Sequence, residues 1–216
     1  MGKKALLYVF NGMADWEYGY LVPELNTGRY FAARGSRLEV RTLALAPGPV
    51  RTMGGLRILP DELLEDFVEE DCAILILPGG DSWLEGEHAP IVEKARGLLD
   101  AGIPVAAICG ATVALAAASI LDGRAHTSND LGYLKATCPA YRGESSYRYE
   151  PAVRDRNLIT ASGIAPLEFA RLVLESLDLF SAEALEGWTG LYRDHEPRYY
   201  FQLMGALEAA APREQE

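Results

Sequence analysis

The chain has 216 residues, of which 49% are hydrophobic and 24% charged, and its formal net charge at pH 7 is -11. This length suits one domain with a sizeable buried core. The negative charge argues against a nucleic-acid partner, since the sequence has no stripe of basic residues interleaved with aromatic ones. No apolar run approaches the roughly 20 residues that a membrane-spanning helix needs.

The first residues and the cysteines predict the cellular compartment. Residues 1–4 precede an apolar run that is too short for a signal peptide, so we expect a cytoplasmic protein with no membrane partner. Cys72, Cys109 and Cys138 are odd in number and widely spaced, which argues against a disulfide framework and a zinc cluster. We therefore expect free thiols, no metal and no cofactor.

The chain opens with a predicted buried strand over residues 4–10. Asp15 then suits the N-cap of a helix whose apolar face begins at Leu21. Such a helix would place Glu17 in its first turn, near the carboxyl end of the first strand. The helix dipole alone would also stabilise an acid there, without any catalytic role.

The next segment predicts strands and a short helix. Residues 38–45 alternate as a second strand, and residues 50–59 form a hairpin with Gly54-Gly55 as its turn. An acidic helix capped by Asp61 would span residues 61–69.

Residues 72–77 form another predicted buried strand, and a helix over residues 87–101 follows. Gly79 and Gly80 lie in the loop at the carboxyl end of that strand. Two glycines permit backbone N–H groups to point into a cleft as an oxyanion hole, although a plain turn has the same sequence pattern.

Residues 103–115 combine a buried strand with a helix of small residues, and Cys109 stands at their junction, followed by Gly110. At a helix N-terminus, the macrodipole and unpaired N–H groups favour thiolate over thiol. We expect the pKa of Cys109 to lie below that of an ordinary thiol. The alternative is a cysteine buried in the core, since free cysteine is among the most buried residue types.

The rest of the chain continues the alternation. We predict a short strand over residues 124–129, a helix capped by Asp130, a strand over residues 157–163 and a helix from Pro166 to about residue 180. Strands alternating with helices predict a doubly wound, mostly parallel sheet in a three-layer α/β/α sandwich over residues 1–180. Residues 181–216 form a helical C-terminal extension packed on the same domain. Ligands bind such sheets at the carboxyl edge of the strands.

Four segments in this order resemble the ThiJ/PfpI (DJ-one) superfamily, which has the class I glutamine amidotransferase-like (flavodoxin-like) sandwich, over about residues 4–180. They are Asp15-Trp16-Glu17, Leu77-Pro78-Gly79-Gly80, Ala107-Ile108-Cys109-Gly110-Ala111-Thr112 and Ile159-Thr160-Ala161-Ser162-Gly163. The resemblance implies Cys109 as the nucleophile, Glu17 as its acidic partner, and Gly79 and Gly80, with Gly110 after the nucleophile, as backbone oxyanion donors. It also implies a homodimer.

One position departs from the family pattern. Many members carry a histidine after the nucleophile or at the end of a later Thr-Thr-His-like segment, whereas here Gly110 follows Cys109 and the later segment is Ala125-His126-Thr127-Ser128-Asn129. Two residues that are three positions apart on a strand point their side chains to opposite faces. At most one of His126 and Asn129 therefore enters the site as an auxiliary residue. An asparagine orients groups but does not shuttle protons.

The resemblance leaves three functions open. The first is a cysteine enzyme acting on a small carbonyl or amide compound, as a hydrolase, amidase, glyoxalase III-type enzyme or deglycase, in which a protonated Glu17 donates to the sulfur. The second is a cysteine redox sensor or stress protein without catalysis. The third is a glutaminase, which needs a histidine and glutamate pair late in the chain; His195-Glu196 is such a pair, but it lies in the tail.

Overall fold

The computed structural model describes residues 2–210, so Met1 and residues 211–216 lie outside it. Its main sheet has seven strands in the order β5-β2-β1-β6-β7-β9-β8. The strands of this sheet are β1 (Lys4–Tyr8), β2 (Val40–Ala44), β5 (Glu62–Leu63), β6 (Cys72–Leu77), β7 (Val105–Ile108), β8 (Ala152–Asp155) and β9 (Leu158–Ala161). All neighbours are parallel except β8 and β9. A separate antiparallel hairpin pairs β3 (Val50–Arg51) with β4 (Arg57–Ile58).

Helices alternate with the strands over most of the chain. They are α1 (Leu21–Thr27), α2 (Ala89–Asp100), α3 (Gly110–Ala117), α4 (Leu131–Thr137), α5 (Pro166–Ser176), α6 (Ala182–Asp194) and α7 (Pro197–Ala209). Single 3-10 turns occur at Leu64–Asp66, Glu69–Asp71, Asp81–Leu84 and Glu144–Ser146.

The core explains why the central strands are apolar without alternation. In β6 and β7, consecutive side chains point to opposite faces of the sheet, yet nearly all of them are buried. Both faces of the sheet are therefore covered, as expected for parallel strands flanked by helices. The predicted class, a doubly wound, mostly parallel α/β/α sandwich of the flavodoxin-like or class I glutamine amidotransferase-like type, is confirmed.

Several local predictions were wrong. Residues 15–19 form bends and turns instead of a first helical turn, because the Asp15 carboxylate accepts a hydrogen bond from Gly54 of the hairpin and α1 begins only at Leu21. The acidic helix over residues 61–69 is absent, because Asp61 binds the backbone and hydroxyl of Thr42 and leads into β5.

Two further differences lie near the edge of the sheet. The segment 124–129 forms only one isolated bridge, between His126 and Tyr147, instead of a strand. Strand β8 was not predicted from the sequence. This strand is joined to β9 by a tight turn, in which Arg156 has a φ of 56°, and the two strands are antiparallel.

The helices of the predicted C-terminal extension pack on the sandwich as far as residue 210. Trp188 of α6 is fully buried, and its indole N–H donates to the carboxylate of the buried Glu24 in α1 at 3.0 Å. The same carboxylate pairs with Arg29.

Within residues 2–210, no helix is long and apolar enough to cross a membrane.

Candidate active site

Cys109 lies at the junction between β7 and α3, where the chain turns sharply. Its φ is 59° and its ψ is -125°, a conformation that L-residues rarely adopt and that costs on the order of 1–3 kcal/mol. The surrounding bonds maintain it: the Cys109 N–H donates to Ala161 of β9 at 3.0 Å, and its carbonyl accepts from the Thr112 hydroxyl at 2.6 Å. Cys109 therefore occupies a strand-to-helix nucleophile elbow.

Glycines leave the space that the sulfur needs. A Cβ added to Gly79 would lie 2.5 Å from the Cβ of Cys109, and one added to Gly163 would lie 2.8 Å from its sulfur. A Cβ on Gly110 would meet the Gly80 carbonyl oxygen. The loops after β6 and β9 thus approach the elbow as closely as backbone allows, and any side chain at Gly79 or Gly163 would displace the cysteine or its neighbours.

The Glu17 carboxyl group is buried directly beside this elbow, with 0% of the residue exposed. Its Oε2 accepts a hydrogen bond from the Gly79 N–H, while Oε1 has no conventional partner within residues 2–210. Burial raises the pKa of Glu17, whereas the bonds to Gly79 and Cys109 lower it. A buried carboxyl group with a single backbone donor favours its protonated form, and its O–H then has the Cys109 sulfur as acceptor.

Asn129 is the auxiliary residue that reaches the sulfur. Its Nδ2 donates to Cys109 Sγ at 3.3 Å, and its Oδ1 accepts from the Gly163 N–H at 2.8 Å, which fixes the orientation of the amide.

His126 lies elsewhere, fully buried, with Nδ1 bonded to the Arg124 carbonyl and Nε2 to the Tyr141 hydroxyl. Burial lowers the pKa of His126. The neutral ring serves the packing beneath the site, and the prediction of His126 as an auxiliary residue has no support in the geometry.

The thiol does not show the simple lowering of pKa that the helix N-terminus predicts. Burial, together with an ionised Glu17, raises the pKa of Cys109 to about 11, although the N–H groups of Asn129 and Gly110 act to lower it. Because two anions in contact repel, Glu17 and Cys109 share one proton as a coupled pair. The sulfur has two N–H donors and the carboxyl group one, so we place that proton on Glu17.

The oxyanion donors differ in part from those predicted. The Gly79 N–H is bound to Glu17 and is therefore occupied, which removes it from the predicted oxyanion hole. The Gly80 N–H remains as a donor, and Gly110 lies beside it, since a Cβ on Gly110 would lie 3.4 Å from the Gly80 nitrogen. The Gly110 N–H is directed at the Cys109 sulfur. The Trp83 indole, which donates to the Pro78 carbonyl at 2.9 Å, holds this loop in place.

Sequence reasoning missed two contributors to the site. Gly163 forms the wall opposite Gly79, and its place at the end of the family-like segment 159–163 is the signal that indicates it. Trp16 borders the site, because its indole N–H donates to the Gly163 carbonyl at 3.1 Å. No three His, Cys, Asp or Glu side chains among the described residues form a metal-binding cluster.

Comparison with known proteins identifies relatives over nearly the whole chain. The DJ-1/PfpI family model matches residues 3–176. The chain is 48% identical to the uncharacterized protease YoaZ of Bacillus subtilis over 95% of this chain and 98% of that protein. It is 34% identical to the uncharacterized protease YdeA of the same organism, over 92% and 94% of the two chains. A crystal structure of a thiJ/pfpI family protein from Bacillus anthracis superposes with a TM-score of 0.92 at 53% identity, covering 95% of this chain and 97% of that one.

Proposed function

Because the chain belongs to the DJ-1/PfpI family, we propose that it is a cysteine-dependent enzyme whose nucleophile is Cys109 and whose acid and base is Glu17. The observation that carries this proposal is the strained elbow at Cys109, with a buried carboxyl group and an amide N–H both directed at its sulfur. Strain of this kind persists at functional sites, where it aims a side chain.

The proposed first step is the attack of the Cys109 thiolate on the carbonyl carbon of a small carbonyl or amide compound. A C–S bond forms, and the π pair of the carbonyl group moves to oxygen, where the Gly80 N–H stabilises the negative charge. The Gly110 N–H joins it, because the sulfur no longer carries a negative charge once the C–S bond has formed. Glu17 transfers its proton to the oxyanion or to a leaving group. Hydrolysis and glyoxalase III-type chemistry share this step and differ in the later ones.

Among residues 2–210, no histidine is hydrogen-bonded to the Cys109 sulfur, which limits the groups that can act as its acid and base. Asn129 occupies the position that faces Cys109 and orients groups without exchanging protons. All proton transfer at the sulfur is therefore assigned to Glu17.

The test is an assay of methylglyoxal conversion and amide hydrolysis with matched cysteine variants. We expect Cys109→Ser to lower the rate by about 100-fold or more, because a hydroxyl ionises far less readily than a thiol and is a weaker nucleophile. Cys138→Ala, which removes a buried thiol away from the site, serves as the control and keeps wild-type activity. Equal activity of wild type and Cys109→Ser would reject Cys109 as the nucleophile.

A second candidate function is a redox sensor, and the same contacts favour it. The Cys109 thiolate would attack a peroxide oxygen: an S–O bond forms, the O–O bond breaks, and the released hydroxide takes a proton to become water. Asn129 and a protonated Glu17 would then donate hydrogen bonds to the new oxygen. Mass spectrometry after mild peroxide should find oxidation at Cys109 first; equal oxidation of Cys72 or Cys138 would count against this function.

The glutaminase alternative has no structural support. His195 and Glu196 lie in the turn between α6 and α7, where Glu196 pairs with Arg198 at 2.8 Å. Cys109 is contacted by Glu17, Asn129 and Gly110 instead.

A further inference from the structure

We propose that an apolar surface connected to the Cys109 site through Trp16 binds a hydrocarbon group of the substrate, so that the enzyme prefers carbonyl or amide compounds with an aromatic or aliphatic substituent. This inference rests on the proposed function, because it needs Cys109 as the nucleophile. The surface consists of Trp16, Met53 and Leu56, which we call the apolar rim.

Trp16 connects the apolar rim to the nucleophile. It directly precedes Glu17 in the chain, and its indole N–H is bonded to the carbonyl of Gly163, the residue that packs on the Cys109 sulfur. Although tryptophan is the largest side chain, 52% of Trp16 is exposed. A hydrogen-bonded, half-exposed indole is thus held at the border of the site with apolar surface open to solvent.

The hairpin of β3 and β4 supplies the other two side chains. Two hydrogen bonds hold the turn of this hairpin against the loop after β1. The Met53 N–H donates to the Met13 carbonyl, and the Gly54 N–H donates to the Asp15 carboxylate. Met53 and Leu56 are 48% and 60% exposed. Together with Asp15, Trp16 and Gly54 they line an open depression of about 550 Å³. The hairpin is therefore docked where its apolar side chains extend the surface of Trp16.

The chemistry of the apolar rim selects its occupant. Binding a hydrocarbon group here is favourable, because the group and the side chains of the rim bury apolar surface against each other. Methionine also adapts to irregular shapes. The rim has three large apolar side chains, whereas a stable protein interface uses about 20–30 residues a side. A small-molecule substituent is the occupant that matches this size and the contact with Gly163.

The experiment measures how fast Cys109 is alkylated by iodoacetamide and by N-benzyliodoacetamide. In both reactions the sulfur forms an S–C bond and iodide leaves, so only the substituent differs. The ratio of the two rate constants, divided by the same ratio for glutathione, reports binding of the benzyl group. We expect a value of about 5 or more for the wild type, because burying a ring against apolar side chains is favourable.

Substitutions locate the effect. Leu56→Ser and Trp16→Ala are expected to lower the ratio about threefold or more, because each removes apolar contact surface. Leu59→Ser is the matched control, since Leu59 lies on the same hairpin outside the depression, is 72% exposed, and should leave the ratio unchanged.

Three results would overturn the inference, in distinguishable ways. If Cys109 is alkylated selectively but the ratio equals that of glutathione, the apolar rim does not bind substituents and the proposed function stands. If Leu56→Ser leaves the ratio unchanged but changes the oligomeric state in light scattering, the apolar rim is an interface between copies. If Cys109 reacts no faster than Cys138, the proposed function itself fails.

Discussion

The proton shared by Glu17 and Cys109 decides whether the sulfur is a nucleophile at neutral pH. Burial, with an ionised Glu17 beside the sulfur, raises the pKa of the thiol to about 11, whereas a protonated Glu17 removes the repulsion and donates to the sulfur. We therefore predict that thiolate absorbance, measured against Cys109→Ser, develops below pH 8.5. Thiolate that appears only near pH 11 would place the proton on the sulfur and contradict the assignment.

Asn129 supports that thiolate through a single N–H group. Asn129→Asp keeps the shape of the side chain but replaces the donor with a carboxylate, which should raise the pKa of Cys109 by about 1 pH unit or more. The control is Asn26→Asp, which changes the net charge equally at an exposed position beside β2. Both variants are compared by thiolate absorbance and by the pH dependence of alkylation with iodoacetamide. A similar thiol pKa in all three proteins would remove Asn129 from the site.

Gly79 should tolerate no side chain. Gly79→Ala would place a methyl group 2.5 Å from the Cβ of Cys109 and 2.6 Å from a Glu17 oxygen, both in a rigid, buried region. We expect a loss of about 2 kcal/mol or more in the free energy of unfolding and a large loss of Cys109 reactivity. Gly97→Ala, in α2 with open space around the new methyl group, should instead stabilise the protein by up to about 1 kcal/mol. Urea unfolding of both variants tests this contrast.

At the scale of elements, a buried polar contact joins α6 to α1. The Trp188 indole donates to Glu24, whose carboxylate is 2% exposed and also accepts from Arg29. Trp188→Phe removes the donor and leaves space, and we expect a cost of about 2 kcal/mol in the free energy of unfolding.

Thermal or urea unfolding measures that cost, with Tyr200→Phe as the control. Tyr200 is about half exposed in α7, and its substitution should change the stability by less than about 0.5 kcal/mol. Equal effects of the two substitutions would show that the contact between Trp188 and Glu24 does not secure α6.

For the whole molecule, buried histidines make the stability depend on pH. Burial lowers the pKa values of His88 and His126 below the ordinary value near 6.5, although Glu87 and Glu85 act to raise that of His88. Tyr8 and Ser82 are hydrogen-bonded to His88, whose Nε2 also lies 3.3 Å from Glu87, and Arg124 and Tyr141 are bonded to His126. The unfolded chain therefore binds protons that the folded chain does not. The free energy of unfolding falls as the pH drops below 6.5, by up to about 1.4 kcal/mol per pH unit for each histidine.

Urea unfolding between pH 7.5 and 5.5 tests this with His126→Gln. The variant loses stability at pH 7.5, because the two buried hydrogen bonds of the His126 ring are altered. Its free energy of unfolding should nevertheless depend less steeply on pH than that of the wild type. The raised pKa of Glu17 has the opposite sign, since it adds stability as the pH falls, and it is common to both proteins. Identical slopes would show that His126 does not contribute.

The assembly and location of the molecule stay predictions. We expect a homodimer, which light scattering tests. The aromatic tail divides between two roles: Trp188 is buried in the core, whereas Tyr200 and Phe201 of α7 are exposed.

The candidate site was predictable where its residues belong to local motifs. Cys109 lies between a strand and a helix whose patterns are strong, and Gly79 follows the carboxyl end of a buried strand, so both could be placed at one edge of the sheet. The helix expected around Glu17 was wrong, yet Glu17 still reaches the sulfur, because the loop of Asp15 is fixed by the hairpin instead of by a helix cap.

By itself the sequence determined the sandwich, its central buried strands and the position of the elbow, because apolar periodicity and glycine spacing act over a few residues. The tertiary structure decided the rest. It alone shows that the Gly79 N–H is bound to Glu17, that Asn129 rather than His126 faces the sulfur, and that Gly163 and Trp16 close the site. The physical reason is that these contacts join residues distant in the chain, and the burial that sets their pKa values exists only once the loops have packed together.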